Sequence, residues 1–166
     1  AELPIGDFAY TIARQLLIAV FEQLQFTDLS KSSNETIAGI AAKSLKEVRY
    51  HVAHARDWCY RLGKGTEESH NRLQRAFNEL WMYTGELFEM YDEDVILVFD
   101  GVAGDLNTLK IQYYDAVQKI LNDSNIQIPV VDYMQTGSRK GIHTEYFGYI
   151  LCELQYMQRT YPNCVW

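Results

Sequence analysis

The chain has few cysteines, no excess of positive charge and no long apolar run. Its three cysteines, Cys59, Cys152 and Cys164, are widely spaced and form no Cys-x-x-Cys pair, so reduced thiols in a cytoplasmic protein are the simplest interpretation. The net charge of −7 argues against nonspecific binding to nucleic acid or to an anionic membrane. The longest apolar run, residues 16–21, is much shorter than the roughly 20 residues that span a bilayer.

Motifs of a self-contained enzyme are also missing from the sequence. There is no Gly-rich nucleotide loop and no recognisable Ser/His/Asp or Cys/His arrangement for nucleophilic catalysis. The start shows no signal-peptide pattern. It also lacks an initiator Met and runs almost directly into a predicted helix, so we expect the chain to be part of a longer protein.

What the sequence does contain is a helical pattern with enough apolar residues for a real core. In 166 residues, 48% are hydrophobic and 13% aromatic, which predicts one folded domain over residues 1–166. The second helix is predicted from about residue 36 to 62. Its apolar positions recur at steps of three and four, which is typical of bundle packing. They are Ile37, Ala41, Leu45, Val48, Val52, Ala55, Cys59 and Leu62. The predicted architecture is an all-α bundle of antiparallel helices.

The remaining helices are predicted from their start signals and apolar faces. Asp7, Thr66 and Asp105 are predicted N-caps of the first, third and fourth helices. The five apolar residues 95–99 fit either a strand or a short buried helix. The last helix is predicted to begin between residues 142 and 144, to end before Pro162 and to bury one apolar face. That face consists of Phe147, Ile150, Leu151, Leu154 and Met157.

A strip of potential metal ligands runs along the second helix. Glu47, His51 and His54 stand at i, i+4 and i+7 and therefore share one side of the helix, beside the apolar seam. A di-iron carboxylate bundle needs a Glu from each of two helices and a Glu-x-x-His from each of the other two. Here Glu47-x-x leads to Tyr50 instead. Glu47 and His51 remain weak candidates for a metal site, but we predict no metal and a polar pair in which Glu47 accepts a hydrogen bond from His51.

A basic loop precedes the last helix. Arg139 and Lys140 lie just before its N-terminus, between two glycines. Free backbone N–H groups at a helix start favour anions. The functional interpretation is a phosphate, or a partner's carboxylate, held by Arg139, Lys140 and the helix end. The alternative is a solvated loop that offsets the charge of an acidic protein.

Several segments of the chain together resemble a known family. They are DFAYTIARQ, KSLKEVRYHVAHARDW, LGKGTEE, ELWMYTGELF and TGSRKGIHTEYFGYILCELQYMQR followed by YPN. These segments are similar to the C subunits of ring-1,2-phenylacetyl-CoA epoxidases, and the resemblance runs nearly end to end. The most distinctive part is the loop and helix start that contain Gly141, His143, Thr144 and Glu145.

The resemblance implies a fold and a role. It implies a ferritin-like bundle that acts as the non-catalytic structural subunit of a multicomponent oxygenase of aerobic phenylacetate catabolism. The catalytic A subunit would then be the partner and carry the di-iron site, while a reductase component supplies electrons from NADPH. This chain would bind no cofactor, and we expect it to form a homodimer within a larger hetero-oligomer. We also expect Arg139 and Lys140 to contact either the CoA phosphates or the partner.

The resemblance also bears on the start of the chain. Family members have further helices before this point, so we expect an N-terminal helix of the bundle to be missing here. The apolar face that this missing helix would leave exposed would need a second copy or a partner to cover it. Two rival hypotheses stay open: a catalytic di-iron protein that uses Glu47 and His51 itself, and a self-associating or small-ligand-binding helical protein.

Overall fold

The structure, a computed structural model, describes residues 2–165, and its regular elements within that range are all helical. The α-helices are α1 (Phe8–Leu29), α2 (Glu35–Gly63), α3 (Glu67–Leu80), α4 (Asp92–Phe99), α5 (Leu106–Asp123) and α6 (Tyr146–Thr160). Short 3₁₀ turns lie at Trp81–Tyr83, Gly85–Phe88 and Ser138–Lys140. The predicted all-α fold is confirmed, and the arrangement agrees with a ferritin-like helical bundle. None of the helices in the described range is both long and apolar enough to cross a bilayer.

The chain divides into two compact units. The bundle unit comprises residues 6–136 and contains α1 to α5, and the α6 unit comprises residues 2–5 together with 137–165. The expectation of one domain over residues 1–166 stays a prediction.

The helix starts follow the capping residues in the sequence. Asp7, Thr66 and Asp105 each accept a hydrogen bond from a backbone N–H in the first turn of their helix, at 2.9–3.1 Å. These three predicted caps are confirmed. Asn34 caps α2 in the same way, with its side-chain oxygen 3.1 and 3.2 Å from two backbone nitrogens. Such caps satisfy N–H groups that have no partner inside the helix.

The core of the bundle unit is built around α1. This helix packs most extensively against α2 and also contacts α3 and α5. The connections 30–34 and 64–66 are so short that the helices they join must run antiparallel. The interior consists of side chains with no exposed surface. They include Leu16, Leu73, Phe77, Tyr113, Val117 and Leu121.

Most of the apolar seam predicted for α2 is confirmed. Ala41, Leu45, Val48, Ala55 and Cys59 are buried. The other three seam positions, Ile37, Val52 and Leu62, are half-buried.

Expected burial was wrong in two other segments. Residues 95–99 belong to the helix α4, which confirms the helix alternative, but none of the residues of α4 is buried. Helix α6 likewise has no buried residue, and two of its seam positions, Leu154 and Met157, are 69% and 44% exposed. Periodicity identifies the apolar face of a helix, but it does not supply an element to cover that face.

Candidate functional site

The basic loop of the α6 unit is a tight turn between two glycines. Gly137 and Gly141 both have left-handed backbone conformations, with φ of 87° and 84°, which glycine adopts at little steric cost. The N–H of Ile142 donates to the carbonyl of Gly137 at 3.1 Å and closes the loop. A side chain at position 137 would also clash, since a Cβ there would lie 2.6 Å from Cδ1 of Ile142. The two glycines therefore fix the path of the chain into α6.

A carboxylate does occupy the approach to α6, and it comes from the same chain. Oε2 of Glu2 accepts hydrogen bonds from the backbone N–H and the hydroxyl of Thr144, at 2.8 and 2.9 Å. Its Oε1 lies 2.6 Å from Nδ1 of His143. The ring of His143 in turn stacks on Phe147, with centroids 3.9 Å apart. We call this set of contacts the Glu2 clasp.

The clasp favours the ionised form of Glu2. Partial burial raises the pKa of the Glu2 carboxyl, but the hydrogen bonds from Thr144 and His143 outweigh that effect, so the pKa lies below its usual value of 4.5. The side chain of Glu2 is 21% exposed, so water can still reach the group. The approach to α6 thus holds a carboxylate that belongs to the same chain.

The side chains of the clasp are not Arg139 and Lys140, which the sequence analysis proposed as the anion-binding residues. Arg139 and Lys140 lie on the exposed 3₁₀ turn before it, and their contact with a phosphate, a CoA ester or a partner stays a prediction. Of the signature residues, Gly141, His143 and Thr144 shape or form the clasp, whereas Glu145 is the exposed residue at the N-cap position of α6. Sequence reasoning missed Glu2, which lies 142 positions from Thr144.

The strip on α2 is open and loosely paired. Nε2 of His51 is 3.9 Å from Oε1 of Glu47, and the two side chains are 38% and 78% exposed. That distance permits an ion pair but exceeds a hydrogen bond. His54 is exposed and stacks on Tyr50, with ring centroids 6.1 Å apart. An exposed i, i+4 pair such as Glu47 and His51 stabilises a helix by about 0.2–0.5 kcal/mol.

The donor set of this strip does not fit a di-iron centre. Such a centre in a helical bundle takes carboxylates from four helices and two imidazoles, whereas α2 offers only Glu47, His51 and His54 along one exposed side. Glu79 of α3 is directed elsewhere, 3.9 Å from Nε of Arg75. Across residues 2–165, no group of three or more His, Cys, Asp or Glu side chains is placed to hold a metal ion. That this chain binds no metal stays a prediction.

The fold and the site together place this chain in a class of protein: all-α helical bundles whose distinctive polar site is a glycine-bounded loop leading into a helix. The family follows from the sequence comparison. The model of the phenylacetic acid catabolic protein family matches residues 1–166, and the chain belongs to that family.

A curated relative carries a more specific description. The chain is 41% identical over 165 residues to the C subunit of the 1,2-phenylacetyl-CoA epoxidase of Escherichia coli (strain K12). The match covers 99% of this chain and 66% of that protein. The chain therefore spans just under two thirds of the length of this relative.

Proposed function

We propose that this chain is a structural subunit of a multicomponent oxygenase that epoxidises the ring of phenylacetyl-CoA. In this proposal it binds and supports a catalytic subunit, which carries the di-iron site, and it holds no cofactor of its own. The observation that carries the proposal is the 41% identity, over 99% of the chain, to a relative described as the C subunit of such an enzyme. A cytoplasmic location and a homodimer within the larger complex are part of the same proposal.

The surface of the bundle unit supports a role in assembly. Helices α1 and α2 leave five large apolar side chains in water: Phe8, Ile18, Ile40, Tyr50 and Tyr60 are 51%, 40%, 61%, 68% and 50% exposed. Scattered exposure is normal, but several such residues on two packed helices suit a protein–protein contact. Long helix faces can also provide the large area that a stable complex requires.

The donor chemistry agrees with a non-catalytic role. Tyr50 stands where a Glu-x-x-His motif of α2 would have its histidine. The nearest alternative donors, Glu47 and His51, are mostly solvated and 3.9 Å apart. These positions are better suited to surface contacts than to holding two redox-active ions.

Co-expression with the catalytic subunit tests the proposal directly. The tagged chain should retain the catalytic subunit through affinity purification and gel filtration, in a constant ratio. A helical protein of similar size and charge from outside the family serves as the control. If the catalytic subunit elutes separately from a folded chain, the proposal is wrong.

The basic loop can be tested within the same assay. The double variant Arg139→Ala/Lys140→Ala should weaken either binding of the catalytic subunit or binding of a CoA ester to the complex, because two cations are lost beside a helix start that favours anions. The matched control is Lys110→Ala/Lys119→Ala, which removes two exposed cations of α5. If the loop variant matches the control in both measurements, the loop contacts neither.

A further inference from the structure

Helix α4 carries the most exposed group of apolar side chains in the bundle unit. Val95, Ile96 and Leu97 are 56%, 59% and 40% exposed, and Phe99 is 90% exposed. None of the residues of this helix is buried. Exposing such a group to water is unfavourable, so its retention indicates a contact surface.

The helix is held in place by polar contacts rather than by its own burial. Its start carries only its own cap, in which the N–H of Tyr91 donates to the carboxylate of Asp94 at 2.9 Å. At its end, the hydroxyl of Ser33 donates to the carbonyl of Asp100 at 3.0 Å, and the N–H of Ser33 donates to the carbonyl of Gly101 at 2.9 Å. The apolar side chains are thus presented from a fixed backbone, which lowers the entropic cost of binding.

We call the acidic residues that flank these apolar residues at the two ends of α4 the acidic collar. Asp92, Glu93 and Asp100 are exposed at the two ends of α4. The sequence contains no lysine, arginine or histidine between Arg75 and Lys110, so no cation from this stretch offsets the collar. A partner that buries Phe99 therefore meets negative charge around the contact.

The collar argues against two possible occupants of this surface. An anionic membrane would repel it, since such a surface attracts basic segments. A second copy would also be repelled, because a twofold contact through α4 places the same acidic collar on both sides. The negative charge of the collar favours a different protein, with an apolar pocket edged by lysine or arginine.

We propose that α4 is a docking element that inserts Phe99 and its apolar neighbours into a basic-edged pocket of a partner protein. The inference rests on the proposed function in one respect, namely that this partner is the catalytic subunit of the oxygenase. Phe99 is the central anchor, and the collar guides and orients the approach. Aromatic anchors of this kind often dominate the affinity of an interface.

The test is the dissociation constant of the complex with the catalytic subunit. Phe99→Ser should weaken binding by about tenfold or more, with circular dichroism and melting temperature unchanged because the side chain is 90% exposed. Ile111→Ser is the matched control, since Ile111 of α5 is 68% exposed and lies outside the surface. The variant Asp92→Asn/Glu93→Gln should bind more weakly and show a smaller loss of affinity with added salt.

The outcomes separate this inference from the proposed function. If the unmodified chain does not bind the catalytic subunit, both fail. If it binds and Phe99→Ser binds equally well, only the docking role of α4 is wrong. If the unmodified chain is a dimer that Phe99→Ser converts to a monomer, a second copy covers α4 and the inference is overturned.

Discussion

The two units of this protein hold together in different ways. The bundle unit buries fully enclosed side chains such as Leu16, Phe77 and Tyr113. In the α6 unit the helix has no buried residue, and its best-defined contacts are the polar and aromatic ones of Glu2, His143 and Phe147. Apolar burial usually contributes more stability than exposed polar contacts. We therefore expect the bundle unit to set the global stability and the α6 unit to open at lower free energy.

The largest expected difference between the units comes from truncating a side chain in each. Phe77→Ala should lower the free energy of unfolding by about 3–5 kcal/mol, because it leaves a cavity in the core, where Phe77 is 0% exposed. Leu154→Ala should change it by less than about 0.5 kcal/mol, since Leu154 is 69% exposed. Urea denaturation followed by far-UV circular dichroism measures both. If both variants lose the same free energy of unfolding, the two units do not differ in how they are stabilised.

Two glycines of α2, Gly63 and Gly39, test how closely this helix packs within the bundle unit. A Cβ at Gly63 would lie 2.0 Å from the carbonyl oxygen of Ser124, so Gly63→Ala should cost about 1–3 kcal/mol through overpacking. A Cβ at Gly39, in the same helix, would meet nothing within 4 Å. Gly39→Ala should therefore add about 0.5–1 kcal/mol by helix propensity. Opposite signs in thermal or urea unfolding are expected, and a stabilising Gly63→Ala would contradict the close approach.

The Glu2 clasp is the corresponding test for the α6 unit. Glu2→Gln removes the charge that His143 and Thr144 contact, and it should raise amide hydrogen exchange at Thr144 roughly fivefold, equivalent to about 1 kcal/mol. Glu145→Gln, at the exposed start of α6, is the control and should leave the exchange unchanged. If the two variants exchange alike, the clasp does not stabilise the helix start.

The same clasp predicts a direction for the effect of pH. The pKa of Glu2 is lowered in the folded protein from its usual value of 4.5, so the folded state favours the carboxylate. Its contribution to stability is complete above pH 4.5 and is lost as the pH falls below that value and through the lowered pKa. Protection of the Thr144 amide should decrease over this range in the unmodified chain but not in Glu2→Gln.

The smallest perturbation uses the natural cysteines. Cys59 in the bundle unit is 0% exposed, and burial raises its pKa to about 12. Cys152 and Cys164 in the α6 unit are exposed. A thiol reagent at mildly alkaline pH should modify these two promptly, and Cys59 only when denaturant is added. Equal reaction rates for all three would mean that the bundle unit is not closed around Cys59.

Sequence reasoning worked best where the interactions are local. The caps Asp7, Thr66 and Asp105 contact backbone only a few residues away, so residue type and position were enough to predict them. The seam of α2 was predicted for the same reason, since helical periodicity is a property of one segment.

The missed features depend on which distant segments meet. The clasp joins Glu2 to Thr144 over 142 positions, and no pattern near either residue indicates the other. The exposure of Phe99 was missed because an apolar run shows only that burial would be favourable. Whether anything covers it depends on the fold or on a partner.

The central claim is that this chain supports an iron-dependent enzyme without binding the iron itself. The most direct measurement is the metal content of the purified chain after anaerobic incubation with ferrous iron and gel filtration. We predict substoichiometric iron that a chelator removes, because Glu47 and His51 are exposed, 3.9 Å apart and unsupported by the other ligands of a di-iron centre. About two tightly held irons per chain, lost on Glu47→Gln, would contradict the account.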